Sequence, residues 1–240
     1  MNRPAGSTGG GGQLPLALRF PPDQRLDTFV AAPAGALAQL AALAEGASAD
    51  WLYLAGPAAT GKSHLALAAC AHAQAHGRRV AYLPLASAAG RLEQALAALH
   101  DYDLVALDGL DAVAGRREDE QALFDFHNRA RATGSGVLYA ARALPDGLPL
   151  SLPDLRSRLA QCVRIRLQVL DDDGRREVLR LRAQRRGLQI DAAAIDWLLR
   201  RVERDLGSLA GLLDRLDRES LAAQRRITVP FLRQILGPTR

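Results

Sequence analysis

The chain has 240 residues, 48% of them hydrophobic and 24% charged, which fits one α/β domain followed by a small helical one. Two isolated cysteines, Cys70 and Cys162, exclude a disulfide framework, and the five histidines show no spacing with cysteines or carboxylates that predicts a metal site. No apolar run is long enough to span a membrane and no leader pattern opens the sequence, so we expect a cytoplasmic protein. The net charge of +5 fits an acidic partner or nucleic acid, but it fits a solvated basic surface equally well.

The first residues predict a flexible tail that carries a docking peptide. Residues 1–12 are rich in glycine, serine and proline and include four consecutive glycines, so they cannot bury a core. The apolar hexamer Gln13-Leu14-Pro15-Leu16-Ala17-Leu18 follows, and its proline argues against a helix. An exposed, extended apolar segment indicates a docking peptide, and packing of the segment on its own domain remains the alternative.

Helix and strand patterns alternate along the next part of the chain. Helical patterns cover residues 33–45, a segment beginning near Lys62, residues 88–99 and residues 118–131. Strand patterns cover residues 51–55, 80–83, 104–108, 137–140 and 163–167. This alternation predicts a mostly parallel sheet with helices on both faces.

After about residue 169 the strand patterns stop and only helical patterns remain. They cover residues 171–185, 191–204, 208–224 and 229–236, with Asp171 and Asp191 as predicted N-caps and Gly187 as a predicted helix stop. We therefore predict an α/β protein with a tail at residues 1–20, a P-loop parallel-sheet domain at residues 21–168 and an all-helical lid domain at residues 169–240.

A phosphate-binding loop stands between the first strand and the following helix. Lys62 is the only lysine among 31 basic residues, and it occupies the lysine position of the motif G-x-x-x-x-G-K-[ST]. A compact ammonium fits beneath the β- and γ-phosphates of a nucleotide, whereas the planar guanidinium of arginine is too wide. The backbone amides of the loop and of the helix N-terminus would cradle phosphate oxygens. The predicted nucleotide-binding residues are Gly56, Pro57, Ala58, Ala59, Thr60, Gly61, Lys62, Ser63 and His64.

Asp108, at the end of an apolar strand, is the predicted carboxylate partner of the loop. Together with the hydroxyl of Ser63 it would hold Mg²⁺ beside bound ADP or ATP. The position after it is Gly109, which has no side chain to orient a water, and Asp111 is the nearest acidic substitute. Asp111 itself fits a loop or helix-start residue better. We therefore predict a nucleotide-binding protein with weak ATP hydrolysis of its own.

These features together resemble the DnaA-like branch of the AAA+ proteins, and within it the regulatory inactivators of the initiator DnaA. The resemblance covers nearly the whole chain and is carried by residues 13–18, 103–115, 124–129, 152–159 and 216–231. It implies that residues 13–18 bind the sliding clamp (β subunit) of DNA polymerase III, through Gln13, Leu14, Leu16 and Leu18. It also implies that Arg158 is an arginine finger offered to the ATP of DnaA.

The family resemblance implies a function as well as a fold. The expected protein is a clamp-bound AAA+ adaptor that stimulates ATP hydrolysis by DnaA and so prevents re-initiation of replication. It would meet DNA mainly through the clamp, and it could form a homo-oligomer. Three positions depart from the family pattern: Gly109, Ala141 after the fourth strand, and Gly207, where Arg204 lies one turn earlier. They put tight discrimination between nucleotides in doubt.

Two rival functions remain open. A DnaA-like helicase loader or DNA-remodelling ATPase would need its own ATP cycle and direct contact with single-stranded DNA. Gly109 argues against the first, and an aromatic content of 5% gives little support to base stacking. A small-molecule P-loop kinase would leave the helical lid and Arg158 unexplained.

Overall fold

A computed structural model describes residues 24–201 and 226–237 of the chain. The predicted clamp hexamer, the helix predicted at residues 208–224, Arg204 and Gly207 lie outside the described residues. The predicted domain boundaries at residues 20 and 168 stay predictions.

The described part is built on a parallel sheet of five strands. They are β1 (Leu52–Ala55), β2 (Val80–Pro84), β3 (Leu104–Asp108), β4 (Gly136–Ala141) and β5 (Val163–Arg166). Their order is β2-β3-β4-β1-β5, and every neighbouring pair is parallel. All five predicted strands are confirmed. The two central strands, β4 and β1, are buried along their whole length, which is why they are continuous apolar runs.

Helices cover both faces of this sheet. The α-helices before β5 are α1 (Ala36–Glu45), α2 (Lys62–Ala75), α3 (Leu85–Ala88), α4 (Leu92–Ala97), α5 (Arg117–Thr133) and α6 (Pro153–Ala160). Because side chains alternate along a strand, Leu52 and Leu54 join the core beneath α1 and α2, while Trp51 and Tyr53 join the core beneath α4, α5 and α6. The predicted site lies at the carboxyl ends of the strands, because the phosphate-binding loop follows β1 and Asp108 ends β3.

Two helix predictions before β5 differ from the structure. The helix predicted at residues 88–99 is shorter in the structure: α4 covers residues 92–97, and Ala88 ends the preceding helix α3, which Gly90, with a φ of +83°, separates from α4. The N–H of Gly90 donates to the buried carboxylate of Asp119, and this contact ends α3. The helix α6 was not predicted, although Pro153 at its first turn is a favourable start.

A second, helical unit follows β5. Its described helices are α7 (Asp172–Arg185), α8 (Ala192–Arg201) and α9 (Val229–Leu236). Asp171 caps α7 by accepting the N–H of Gly174 at 2.8 Å, as predicted. Gly187, with a φ of +68°, ends it as predicted, because Leu188 donates back to the carbonyl of Ala183.

The helical unit has its own small core. Eight buried apolar residues contribute to it: Leu179, Ala194, Ile195, Trp197, Leu198, Ile227, Phe231 and Leu232. A parallel-sheet domain followed by helices was the predicted architecture, and the structure confirms it. Within the described ranges, no helix is long and apolar enough to cross a membrane.

Candidate nucleotide site and arginine-finger face

The phosphate-binding loop joins β1 to α2 and is held by two close backbone approaches. A Cβ on Gly56 would lie 2.4 Å from the carbonyl oxygen of Leu167, so only glycine fits there. Gly61 has a φ of +88°, and a Cβ on it would lie 2.5 Å from the ring of Phe29. Both glycines of the motif are therefore required by the packing of the loop against β5 and against the segment before α1.

Lys62 lies beneath the loop. Its ammonium donates to the carbonyl oxygens of Gly56 at 2.7 Å and Pro57 at 2.6 Å. The side chain is buried, and this burial lowers its pKa, while the carboxylates of Asp108 and Asp111 act in the opposite direction. A point charge can sit between two converging carbonyls in this way, whereas a guanidinium fork cannot. Lys62 is thus held where a phosphate chain on the loop would meet it.

Ser63 and Asp108 are brought into direct contact across the site. The hydroxyl of Ser63 donates to Oδ2 of Asp108 at 2.5 Å, and the phenol of Tyr82 donates to the same oxygen at 2.7 Å. Hydroxyl and carboxylate oxygens are the ligands that Mg²⁺ prefers, so this pair fits the predicted metal. Tyr82 was not predicted, because only the pairing of β2 with β3 places it beside Asp108. Burial and the hydrogen bond to Asp108 both raise the pKa of Tyr82, so it remains a donor.

A cavity of about 330 Å³ lies beside the loop, between the sheet domain and α7. The segment before α1, the loop, the chain after β5 and α7 all contribute to its wall. Its lining includes Gln24, Phe29, Ala31, Ala59, His64, Val178 and Arg182. Two alanines in this wall, Ala31 with a φ of +57° and Ala59 with +63°, adopt the left-handed conformation, which costs a non-glycine residue ~1–2 kcal/mol. Backbone strain of this kind is typical of ligand sites.

His64 joins the loop to the segment before α1. Its ring packs against Phe29 with 5.6 Å between ring centroids, and Nε2 lies 3.2 Å from the hydroxyl of Thr28. Nothing in the sequence identified residues 24–31 as part of the site, because these residues reach it only through the fold.

The region after Asp108 offers no second acid directed at the site. Gly109 has a φ of +84°, and a Cβ there would meet open space. Asp111 lies in a short 3₁₀ turn, and its carboxylate accepts the N–H of Arg142 at 2.9 and 3.1 Å. That contact joins the turn after β3 to the end of β4, where the sequence carries Ala141. Asp111 is therefore occupied in holding two loops together.

The two arginines of α6 have different environments. Arg156 is half-buried and donates to the carbonyl of Leu150 at 2.6 Å. Arg158 is exposed, and its side chain makes no hydrogen bond or ion pair with any described residue. The sequence alone placed both in the same segment, and the structure separates an internal contact from an available guanidinium.

The N-terminus of α6 is held by one buried carboxylate. Glu120, on the first turn of α5, is fully buried and accepts from the N–H of Ser151 at 3.0 Å, the hydroxyl of Ser151 at 2.8 Å, and the N–H groups of Leu152 at 2.7 Å and Gly115 at 2.6 Å. Burial raises the pKa of Glu120, but these hydrogen bonds outweigh it and the pKa is lowered overall. Glu120 therefore fixes the helix that carries Arg158, and no pattern in the sequence indicated this role.

The positive charge of Arg158 affects the pKa of a buried histidine nearby. His127 is buried beside Trp51 and Tyr139, and burial, followed by the charges of Arg131 and Arg158, lowers its pKa to about 4. Arg131 and Arg158 therefore both lie close enough to His127 to act on it electrostatically.

Two family models match the chain. One describes IstB-like ATP-binding proteins and matches residues 23–146, just over half of the chain; the other describes the lid domain of Hda and matches residues 172–236. The boundary between them agrees with the change from strands to helices.

Solved structures with the same fold include replication proteins. Domain III of the Thermotoga maritima replication initiation protein DnaA aligns with a TM-score of 0.74 at 18% identity, over 91% of this chain and 98% of that one. AMPPCP-bound DnaA from Aquifex aeolicus aligns with 0.65 at 21% identity, over 82% and 66%. The Thermotoga maritima RuvB Holliday junction branch migration motor aligns with 0.63 at 18% identity, over 89% and 71%.

These matches agree with the geometry of the loop, the sheet and the lid. The fold is that of an AAA+ nucleotide-binding domain followed by its helical lid. The chain belongs to the IstB-like ATP-binding protein family, and its residues 172–236 match the lid domain of Hda.

Proposed function

We propose that this protein is a sliding-clamp-bound AAA+ adaptor that stimulates ATP hydrolysis by DnaA and so prevents re-initiation of replication. The observation that carries the proposal is Arg158, an exposed guanidinium with no partner among the described residues, on a helix fixed by the buried Glu120. Arg156, on the same helix, is engaged within its own domain. An arginine that is positioned but unengaged suits a ligand on another molecule.

The chemistry of the face supports a phosphate ligand. Arg131 lies over the ring of Trp51 at 3.9 Å and donates to the carbonyl of Ala49, so its charge is fixed, and both it and Arg158 act on His127. A guanidinium offered to ATP on DnaA would stabilise the negative charge that develops on the transferred phosphoryl group. A finger arginine of this kind contributes ~10³–10⁵ in rate.

The protein's own nucleotide site would hold ADP or ATP with Mg²⁺. The loop amides and Lys62 would bind the phosphates, and Ser63 and Asp108 would hold the metal, which neutralises phosphate charge. Because Gly109 has no side chain and Asp111 is bound to the backbone of Arg142, hydrolysis at this site would be slow. The nucleotide would then stabilise the arrangement of the sheet domain and the lid rather than be consumed.

The decisive experiment compares ATP turnover in reconstituted mixtures of DnaA, clamp and DNA. Wild-type protein should raise turnover strongly, and Arg158→Ala should abolish the rise while its folding and clamp binding stay unchanged. Arg91→Ala is a matched control, because Arg91 is also exposed but lies at the start of α4 and not on α6. Full stimulation by Arg158→Ala would refute the finger. A chain that hydrolyses ATP rapidly by itself on single-stranded DNA would favour the helicase-loader alternative.

Clamp binding is a separate part of the proposal. Gln13 would insert its amide into a polar sub-site while Leu16 and Leu18 fill an apolar pocket, with Leu14 beside them. Burial of two leucines contributes ~3–6 kcal/mol before the cost of ordering the segment. Surface plasmon resonance on immobilised clamp should detect wild-type protein. The Gln13→Ala, Leu16→Ala double variant should not bind, and equal affinity of the two proteins would exclude this docking site. A cytoplasmic location follows from these partners.

A further inference from the structure

Two helix ends meet on the surface far from the nucleotide site and bring three metal-binding side chains together. Glu45 is the last residue of α1, and His72 and His76 lie one turn apart at the end of α2. Oε1 of Glu45 is 2.8 Å from Nε2 of His72 and 3.9 Å from Nε2 of His76. One ligand atom from each of the three residues lies within 4.8 Å of the others. The histidine spacing showed no carboxylate partner in the sequence, because Glu45 is 27 residues away.

The hydrogen bonds of His76 prepare it to bind a metal. Its Nδ1 is 2.8 Å from the carbonyl oxygen of His72. A carbonyl only accepts, so Nδ1 carries the hydrogen and the lone pair is on Nε2, which faces Glu45. Metal-bound histidines commonly donate their other ring nitrogen to a carbonyl in this way.

The electrostatic surroundings favour a cation. Both α1 and α2 end here, and the partial negative charge of a helix C-terminus attracts positive ligands. Arg78 is one positive group already bound at this position, since its guanidinium donates to the carbonyl oxygens of Leu43 and Ala44 in the last turn of α1. The side chains of His72 and Glu45 are 31% and 41% exposed, so water can reach the cluster and complete a coordination sphere.

The alternative interpretation of the cluster is an ordinary surface ion pair. An ion pair between Glu45 and His72 needs no third residue, whereas here the hydrogen bond from Nδ1 of His76 to the carbonyl of His72 leaves Nε2 of His76 3.9 Å from the same carboxylate oxygen. Two imidazoles and one carboxylate form a donor set that suits zinc, nickel or copper and not Mg²⁺, which prefers oxygen ligands.

We propose that Glu45, His72 and His76 form an open surface site for a divalent transition metal such as Zn²⁺, which clips the end of α1 to the end of α2. The site is separate from the predicted Mg²⁺ ligand Ser63, which begins the same helix ~14–20 Å away at 1.5 Å per residue. A metal held here would strengthen the packing of α1 on α2 without touching the nucleotide.

Isothermal titration of Zn²⁺ into untagged, chelator-treated protein tests the proposal. Wild-type protein should bind one more equivalent of Zn²⁺ than the His72→Ala, His76→Ala double variant, and its melting temperature should rise with Zn²⁺ while that of the variant should not. His100→Ala is the matched control, because His100 is an exposed histidine next to an acidic residue but outside the cluster, and it should behave as wild type.

A second variant keeps the test valid if the double variant folds poorly. Glu45→Gln retains the size of the side chain and can still hydrogen-bond to His72, but it removes the charged ligand, so Zn²⁺ affinity should fall. Mg²⁺ should produce no heat at this site in any of the proteins. Equal Zn²⁺ stoichiometry and affinity in wild type, the double variant and Glu45→Gln would overturn the proposal.

Discussion

Glu120→Ala is the change for which the structure predicts the largest effect away from the nucleotide. The carboxylate accepts four hydrogen bonds between 2.6 and 3.0 Å, and three of the donors are backbone N–H groups that have no other acceptor within the described residues. A donor left without a partner costs ~1–3 kcal/mol. These donors lie near the surface, where water can replace part of the carboxylate, so the lower end applies. We expect a loss of about 3–4 kcal/mol of unfolding free energy.

The measurement is urea denaturation followed by tryptophan fluorescence, with Trp51 reporting on the sheet domain and Trp197 on the lid. Glu120→Gln should lose less, about 2 kcal/mol, because one carbonyl oxygen still accepts. Glu118→Gln is the matched control, since Glu118 is on the same helical turn but exposed, and it should stay within about 0.5 kcal/mol of wild type.

The pH dependence gives an independent check on Glu120. Its pKa is lowered in the folded state, because the hydrogen bonds to the carboxylate outweigh the effect of burial. Its stabilisation is therefore present above the unfolded value of 4.5 and is lost as the pH falls below it. The stability difference between wild type and Glu120→Gln should shrink on acidification. A difference indistinguishable from that of Glu118→Gln at neutral pH would refute the reasoning, and unchanged stimulation of DnaA by Glu120→Ala would show that it does not position Arg158.

Three further predictions concern the site and its surroundings. At 100 times its dissociation constant, Mg-ADP should stabilise the wild-type protein by about 2.7 kcal/mol in thermal melts, and Lys62→Ala should remove most of that gain. Tyr82→Phe removes one hydrogen-bond donor to Asp108. This variant should therefore weaken ADP binding in the presence of Mg²⁺ more than in its absence. An equal effect in titrations with and without Mg²⁺ would count against a metal at Asp108. The pKa of His127 is lowered to about 4 in the folded protein. The free energy of unfolding should therefore decrease as the pH falls below 6.5, because the unfolded chain takes up the proton first. Urea denaturation between pH 7.5 and 5 should show a steeper loss for wild type than for His127→Gln, by at most ~2 kcal/mol.

Local patterns in the sequence were enough for the sheet and the phosphate-binding loop. A strand that is buried on both faces must be a short apolar run, and residues 52–55 and 136–141 are such runs. The loop motif needs glycine, lysine and serine at fixed spacing, because backbone amides and one ammonium must converge on phosphates. Asp108 was predicted by the same logic, since it stands at the end of an apolar strand. These features depend on neighbours in sequence, so the sequence reports them directly.

Helix boundaries were less well determined by sequence. The pattern at residues 88–99 is helical throughout, yet the N–H of Gly90 is bound by Asp119, 29 residues away, and the helix begins only at Leu92. The short helix α6 begins at Pro153 and was not recognised, because eight residues carry too weak a periodic pattern. In both places the outcome depends on a contact with α5 that no local pattern contains.

The fold class, the family resemblance and most of the residues around the phosphate-binding loop could be predicted from the sequence. The resemblance selected Arg158, and the tertiary structure added that its side chain is exposed and unengaged among the described residues, whereas Arg156 donates to the carbonyl of Leu150. Only the tertiary structure placed Tyr82 on Asp108 and Glu120 beneath the start of α6. The physical reason is the same in each case. A motif consists of residues that are close together in the sequence, whereas a hydrogen bond between residues far apart in the chain forms only after strands and helices have packed.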